Sequence, residues 1–165
     1  MSRSGGLAAW ISALSLIVAM VKPSMASTPS LAFDGARLLG VHCLLAPDRL
    51  PDRRALQTSI CERVRTLAAD KAPMPVVVLP AGDPRLIAPD TLVLLVHAAV
   101  QGDDRPEPLL ILTVRSFRAT AAPSELFGAT PRAVAMTRDD KAPGIDVALT
   151  AALAETLPWR SPPTP

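Results

Sequence analysis

Residues 36–80 read ARLLGVHCLLAPDRLPDRRALQTSICERVRTLAADKAPMPVVVLP, and their reading decides the fold. The first part, residues 36–46, is apolar at odd and even positions alike, as a strand covered on both faces must be. Leu39, Val41, Cys43 and Leu45 share one face of that strand, and Leu38, Gly40, His42 and Leu44 share the other. PDRLPD then marks a turn, with Asp52 standing where a helix N-cap belongs. Residues 53–71 are free of Gly and Pro, and Leu56, Ile60, Val64 and Leu67 recur at four- and three-residue steps, which makes one apolar stripe. PVVVLP, residues 75–80, is a short apolar run bounded by prolines. A strand–helix–strand unit of this kind predicts two parallel strands joined by a right-handed crossover.

Further along, DTLVLLVHAAVQ (residues 90–101) is almost continuously apolar and reads as a central strand. GDDRPE makes a turn, and PLLILTVRSFRA (residues 108–119) follows as its hairpin partner. In that strand Leu110, Leu112 and Val114 face one way, while Thr113 and Arg115 share the other face with Leu109, Ile111 and Phe117. A looser strand is expected within residues 131–138, and the strands after the first helix read as hairpin-linked. Ile145, Leu149, Leu153 and Leu157 at four-residue steps define a last helix that Pro158 stops. The predicted order is β-α-β-β-β-β-α. It implies an α/β (α+β) two-layer sandwich, a mixed sheet of about five strands with two helices on one face. The uncovered face would carry either Arg37 or the pair Thr113 and Arg115, since parity alone leaves open which side faces out.

Upstream of the domain, residues 1–26 have the parts of an export signal. A polar start with Arg3 precedes LAAWISALSLIVAMV (residues 7–21), and KPSMAS supplies small residues at Ser24 and Ala26 for a cut between Ala26 and Ser27. The apolar run is shorter than the roughly 20 residues a membrane span needs. The expected organisation is a signal at 1–26, a single globular domain at 27–158 and a disordered Pro-rich tail at 159–165, in the periplasm or secreted. The alternative is retention as an amino-terminal anchor in the inner membrane. The formal net charge of +2 belongs to the leader. Arg3 and Lys22 lie in it with no acid, so the remainder is neutral. A neutral domain lacks the basic footprint of a nucleic-acid binder and the clustered cations of a lipid-surface patch; Arg53-Arg54 is the densest basic pair. Arg far outnumbers Lys, and Pro is abundant, a usage typical of GC-rich bacterial genomes. In an oxidising compartment the two cysteines, Cys43 and Cys61, are read as a disulfide. The bridge ties the first strand to the first helix, and closing that loop of about 18 residues stabilises by roughly 3 kcal/mol.

The strand RLLGVHCLL, the helix RALQTSICERVRTLAAD, the pair PVVVL and DTLVLLVHAAVQ, and the final helix VALTAALAETLP together resemble the small periplasmic α/β domains of envelope proteins. These include the amino-terminal domain of TolB, the penicillin-binding-protein activator and the CsgG-like group. The resemblance is one of element order over most of the exported chain. It implies a binding or scaffolding module.

Catalytic chemistry is sparse. His42 and His97 each sit in the middle of an apolar strand, where a histidine bonded to a backbone group is the ordinary reading. A general base or metal ligand is the sharper one. A zinc set of His42, His97, Cys43 and Cys61 is disfavoured because His42 and Cys43, adjacent in a strand, point to opposite faces. Ser59 has no histidine in local reach, and no nucleophile elbow or phosphate-binding glycine loop is present. Asp103-Asp104 and Asp139-Asp140 lie in turn sequences, where Asp is solvated or caps. With two Trp, three Phe and no Tyr, stacking platforms for bases or sugars are not expected. No catalytic, cofactor or metal set is therefore assigned. The expected function is a non-catalytic interaction or accessory module with an envelope or periplasmic protein partner. The alternatives are a small-molecule or lipid carrier with a cavity between sheet and helices, and an enzyme centred on His42 or His97. Intact mass of the protein purified from the envelope is expected to show loss of residues 1–26 and of two hydrogens. A full-length reduced species would contradict both the cut and the bridge.

Overall fold

The computed structural model describes residues 30–104, 106–121, 128–136 and 143–161. The leader with its cut between Ala26 and Ser27, the Asp139-Asp140 pair and residues 162–165 lie outside them. Within them run β1 (Leu38–Ala46), α1 (Arg53–Ala69), β2 (Val76–Val78), β3 (Thr91–Gln101), β4 (Leu109–Phe117), β5 (Arg132–Ala135) and α2 (Pro143–Thr156). Short 3-10 turns occupy Ser30–Phe33 and Pro84–Ile87. The strands form one mixed sheet in the order β2-β1-β3-β4-β5. Both helices pack on one side of it, which makes the α/β two-layer sandwich.

β1 is the organising strand. It pairs in parallel with β2 from Leu39↔Val76 to Val41↔Val78, and on its other side in parallel with β3 over its whole length, from Leu38↔Thr91 to Ala46↔Ala99. β3 and β4 form the expected antiparallel hairpin, and β4 pairs antiparallel with β5. The sequence reading is corrected at β2 and β3, which are not hairpin neighbours but flank β1. The physical reason lies in length. β2 has three residues and cannot template an eleven-residue strand, whereas β1 is apolar on both parities and suits a position between two neighbours. The connection from Leu79 to Asp90 therefore carries the chain over the sheet to the far side of β1.

Leu39, Val41 and Leu45 of β1, Leu92, Leu94 and Val96 of β3, and Leu110, Leu112 and Val114 of β4 form one apolar floor, each 3% exposed or less. On it lie Ile60, Val64 and Ala68 of α1 and Ile145, Leu149 and Leu153 of α2. Each Leu, Ile or Val among them, fully buried, contributes roughly 1.5–3 kcal/mol. Asp52 does occupy the position before α1, but in a left-handed conformation (φ 54°), and its side chain makes no capping bond. The backbone carbonyl of Asp52 accepts from Leu56 N–H at 3.1 Å, so the cap is made by the main chain and not the carboxylate.

Three polar clamps hold the periphery. The Arg118 guanidinium donates to the carbonyls of Pro89, Ala32 and Asp34, tying the amino-terminal turn to the end of β4. Arg132 of β5 pairs with Glu155 of α2, which is 9% exposed and also accepts from Thr130 N–H at 2.7 Å. The structure differs from the expected tail at residues 159–161. Trp159 donates its indole N–H to Ala68 O at 3.1 Å and meets the Phe33 ring edge-on with centroids 5.4 Å apart. An aromatic side chain beside an uncovered apolar helix end buries more surface than it leaves wet, so the fold runs through Ser161.

Cys43 on β1 and Cys61 on α1 stand at disulfide distance, with Cα atoms 5.8 Å apart and 18 residues between them in sequence. Replacing both by Ala is expected to lower stability by about 3 kcal/mol, the loop-closure value for a ring of this size. Urea unfolding of the double variant against the oxidised protein measures it, and equal midpoints would show that the bridge does not stabilise the fold.

Candidate functional site

The side of the sheet away from the helices is where the two histidines meet. Ladder register sets its side chains in rows that run across the strands. Gly40, Val93 and Phe117 form one row; His42, Leu95 and Arg115 the next; Leu44, His97 and Thr113 the next; and Ala46, Ala99 and Ile111 the last, continued by Ala133 of β5. Thr113 and Arg115 are thus on the uncovered face, and Arg37 precedes β1 at its edge.

The first row is not open. The segment leaving β2 folds over it, so that a Cβ built on Gly40 would lie 2.3 Å from Leu79 Cδ1 and 3.1 Å from its Cγ. Glycine is required there because the crossing chain leaves no room for a side chain. Leu79 is 1% exposed, and Thr91 and Val93 are closed off at the same end. Leu79 N–H donates to Val41 O at 2.9 Å, and His42 Nδ1 lies 2.9 Å from Leu79 O. A carbonyl only accepts, so Nδ1 carries the hydrogen.

Beyond that crossing the face is exposed. Leu44 is 43% exposed and Leu109 42%, with Leu95, Ala99 and Ile111 half-buried between them. A groove of about 360 Å³ lies over this half, lined by Leu44, His97, Ala99, Ile111 and Thr113, with Asp48 and Arg53 at its rim. A second groove of about 440 Å³ adjoins it past Leu44, running between the end of β2 and the start of α1 beside His42, Gln57 and the two cysteines. Along that second groove β1 has outrun β2. Its carbonyls at Cys43 and Leu45, left without a strand neighbour, accept instead from Gln57 Nε2 at 2.6 Å and Arg53 Nε at 3.0 Å. Arg53 also pairs with Asp48 at 2.9 Å.

The other candidates are scattered. Cys43 faces the helices and His42 the open side, so the four potential zinc ligands are not assembled, and no cluster of three or more metal-binding side chains occurs among the described residues. Ser59 lies on α1 in a groove with Glu62, Arg63 and Asp146, across the sheet from both histidines. Asp103 is 3.9 Å from Arg49 in the turn after β3, with Asp104 exposed beside it. What sequence reading missed is the Leu79 crossing and the caps on the β1 edge. Only the Gly40 gap in an otherwise bulky strand hinted at the first.

No family model matches the chain, and no curated protein matches it. Among solved structures, a single-substitution variant of the PelC dodecamer from Paraburkholderia phytofirmans is similar at 12% identity and a TM-score of 0.45, over 73% of this chain and 88% of that one. The PelC dodecamer of the same organism in another crystal form is similar at 18% identity and a TM-score of 0.42, over 84% and 96%. A likeness at this level bears on neither chemistry nor partner.

The protonation of His97 is set by the face. Burial first, then the charge of Arg115, then His42, lower its pKa from the ordinary 6.5. The unfolded chain therefore binds its proton at higher pH than the folded one does. Between the two values the unfolded state holds more protons, so stability falls as pH drops through 6.5 and levels off below the folded value. Urea midpoints measured from pH 7.5 to 5 should decline less in His97→Gln than in the parent. Parallel curves would show that His97 is not the group responsible.

Proposed function

We propose that this chain is a non-catalytic interaction module of the bacterial envelope, exported through its leader, and that it binds a protein partner through the open half of its sheet. The observation that carries this reading is the run of exposed and half-buried apolar side chains, Leu44, Leu95, Ala99, Leu109 and Ile111, laid out in register on a rigid sheet. Contiguous apolar surface facing water is a mark of contact sites. A rigid backbone beneath it keeps the ordering cost of association low.

Neighbouring features support the same reading. Among the described residues no helix is long and apolar enough to cross a membrane, and Cys43 and Cys61 stand at disulfide distance, as suits an oxidising compartment. The carrier alternative needs space between sheet and helices; the packed core occupies the middle of that layer, and the groove at the β2 margin is the place left for it. The enzyme alternative needs a nucleophile or carboxylate beside His42 or His97. The open-face ladder positions next to them hold no carboxylate, and the one hydroxyl there, Thr113 beside His97, is the residue on which that alternative would rest.

Leu44→Asp combined with Leu109→Asp tests the reading. Both side chains are already substantially exposed, so the double variant is expected to keep the parent melting temperature, surface changes of this kind costing about 0.5 kcal/mol or less each. In crosslinking from the native envelope followed by mass spectrometry, the specific adducts of the parent should be lost from the variant. Identical adducts from the two proteins would move the contact off this face.

A further inference from the structure

The open face carries a charge pattern as well as an apolar one. Its strand positions, from Leu38 to Ala46 on β1, Thr91 to Gln101 on β3 and Leu109 to Phe117 on β4, include no Asp or Glu. Their ionisable groups are His42, His97 and Arg115. The acids at the rim are engaged elsewhere: Asp48 with Arg53, Asp83 with Arg85, and Asp103 near Arg49.

Arg115 is placed, not loose. It bridges to Gly128 across the β4 edge, and Ala129 N–H donates to Val114 O at 2.8 Å, which holds that segment against the strand. A Cβ on Gly128 would come within 2.7 Å of Arg115 Cγ and 3.2 Å of its Cδ. The glycine thus leaves the lane in which the arginine stem lies, while the residue as a whole stays exposed. Among the described residues no carboxylate pairs with its guanidinium.

We propose, building on the interaction-module reading above, that Arg115 is the specificity-determining cation of the open face. The protein partner docks an apolar surface bearing one carboxylate, and that carboxylate seats on the Arg115 guanidinium beside His97. An arginine fork takes a carboxylate through two parallel N–H···O bonds, and such charge-assisted pairs are about twice as strong as neutral ones. A neutral imidazole alongside adds an N–H donor without adding a second cation for the partner to neutralise. A basic partner would meet Arg115 unpaired and be rejected by like charge. Recognition then has two separable parts, an apolar area centred on Leu44 and Ile111 and a charge at Arg115.

The test uses two peptides as probes, acetyl-Ser-Leu-Val-Glu-Leu-Val-Ser-amide and its counterpart with Lys for Glu, titrated to millimolar concentration against the oxidised protein and followed by NMR. The acidic peptide is expected to shift amides of β3 and β4 around His97 and Arg115, and to bind about tenfold more tightly than the basic one, the scale of one charge-assisted contact. Arg115→Glu should invert that preference. The His97 titration should move upward when the acidic peptide is bound, because a carboxylate offsets the Arg115 charge; a purely structural role for Arg115 would leave it in place. Three results would overturn the proposal: no binding of the acidic peptide, equal binding of both peptides, or a preference that survives Arg115→Glu. Leu44→Asp separates the two readings. Binding lost in Leu44→Asp but indifferent to Arg115→Glu keeps the docking face and removes the acidic partner. Binding indifferent to both substitutions removes the face as well.

Discussion

Every other relation in this fold depends on the parallel ladder between β1 and β3. Nine consecutive residues of β1 pair with β3, and the pleat then assigns each side chain to one of two faces without exception. Leu39, Val41, Cys43 and Leu45 go to the helices; Leu38, Gly40, His42 and Leu44 go to the other side. That single assignment points Cys43 at α1 and His42 away from it. It also stacks the rows in which Leu44 meets His97 and Thr113. A slip of one residue would exchange the two sets, sending His42 into the core and leaving Val41 in water.

Much of this was legible in the chain because the pattern is local. The four-residue steps of Ile145, Leu149, Leu153 and Leu157 describe α2, and all four are buried. Alternation along residues 108–119 sorts Leu110, Leu112 and Val114 from Thr113 and Arg115 as the structure does. Spacing along α1 also leaves Cys61 within reach of β1. What was not legible depends on contacts between segments distant in sequence. Nothing local to PVVVLP says that β2 stops after three residues or that the next strand lies beyond β1. Asp52 has the right identity for a cap, but its backbone takes a positive φ and its side chain makes no capping bond. Trp159 followed a proline and preceded others, a context that reads as tail. The uncovered aromatic edge of Phe33, more than a hundred residues earlier, is what holds it.

The two histidines show why environment outranks identity. Both sit mid-strand on the same face, yet they are in different situations. His42 is committed through Nδ1 to the carbonyl of Leu79 and so serves the chain that crosses the sheet. His97 has burial and the neighbouring charges of Arg115 and His42 working against its proton. One histidine anchors the covered end of the face and the other conditions the open end. The chemistry of the surface changes over the width of a single strand pair.

The short length of β2 has a further consequence for how the domain lives among other chains. An unpaired strand edge is a template on which foreign strands polymerise, and the exposed stretch of β1 past β2 would be such a template. Gln57 and Arg53 already occupy its carbonyls, and the cysteine pair brings their helix alongside. At the opposite margin β5 offers only four residues. The exposed β1 stretch thus has those two carbonyls occupied, and the outermost strands, β2 and β5, are only three and four residues long. A sheet built in this way can display an apolar surface on its face while offering foreign strands little at its edges.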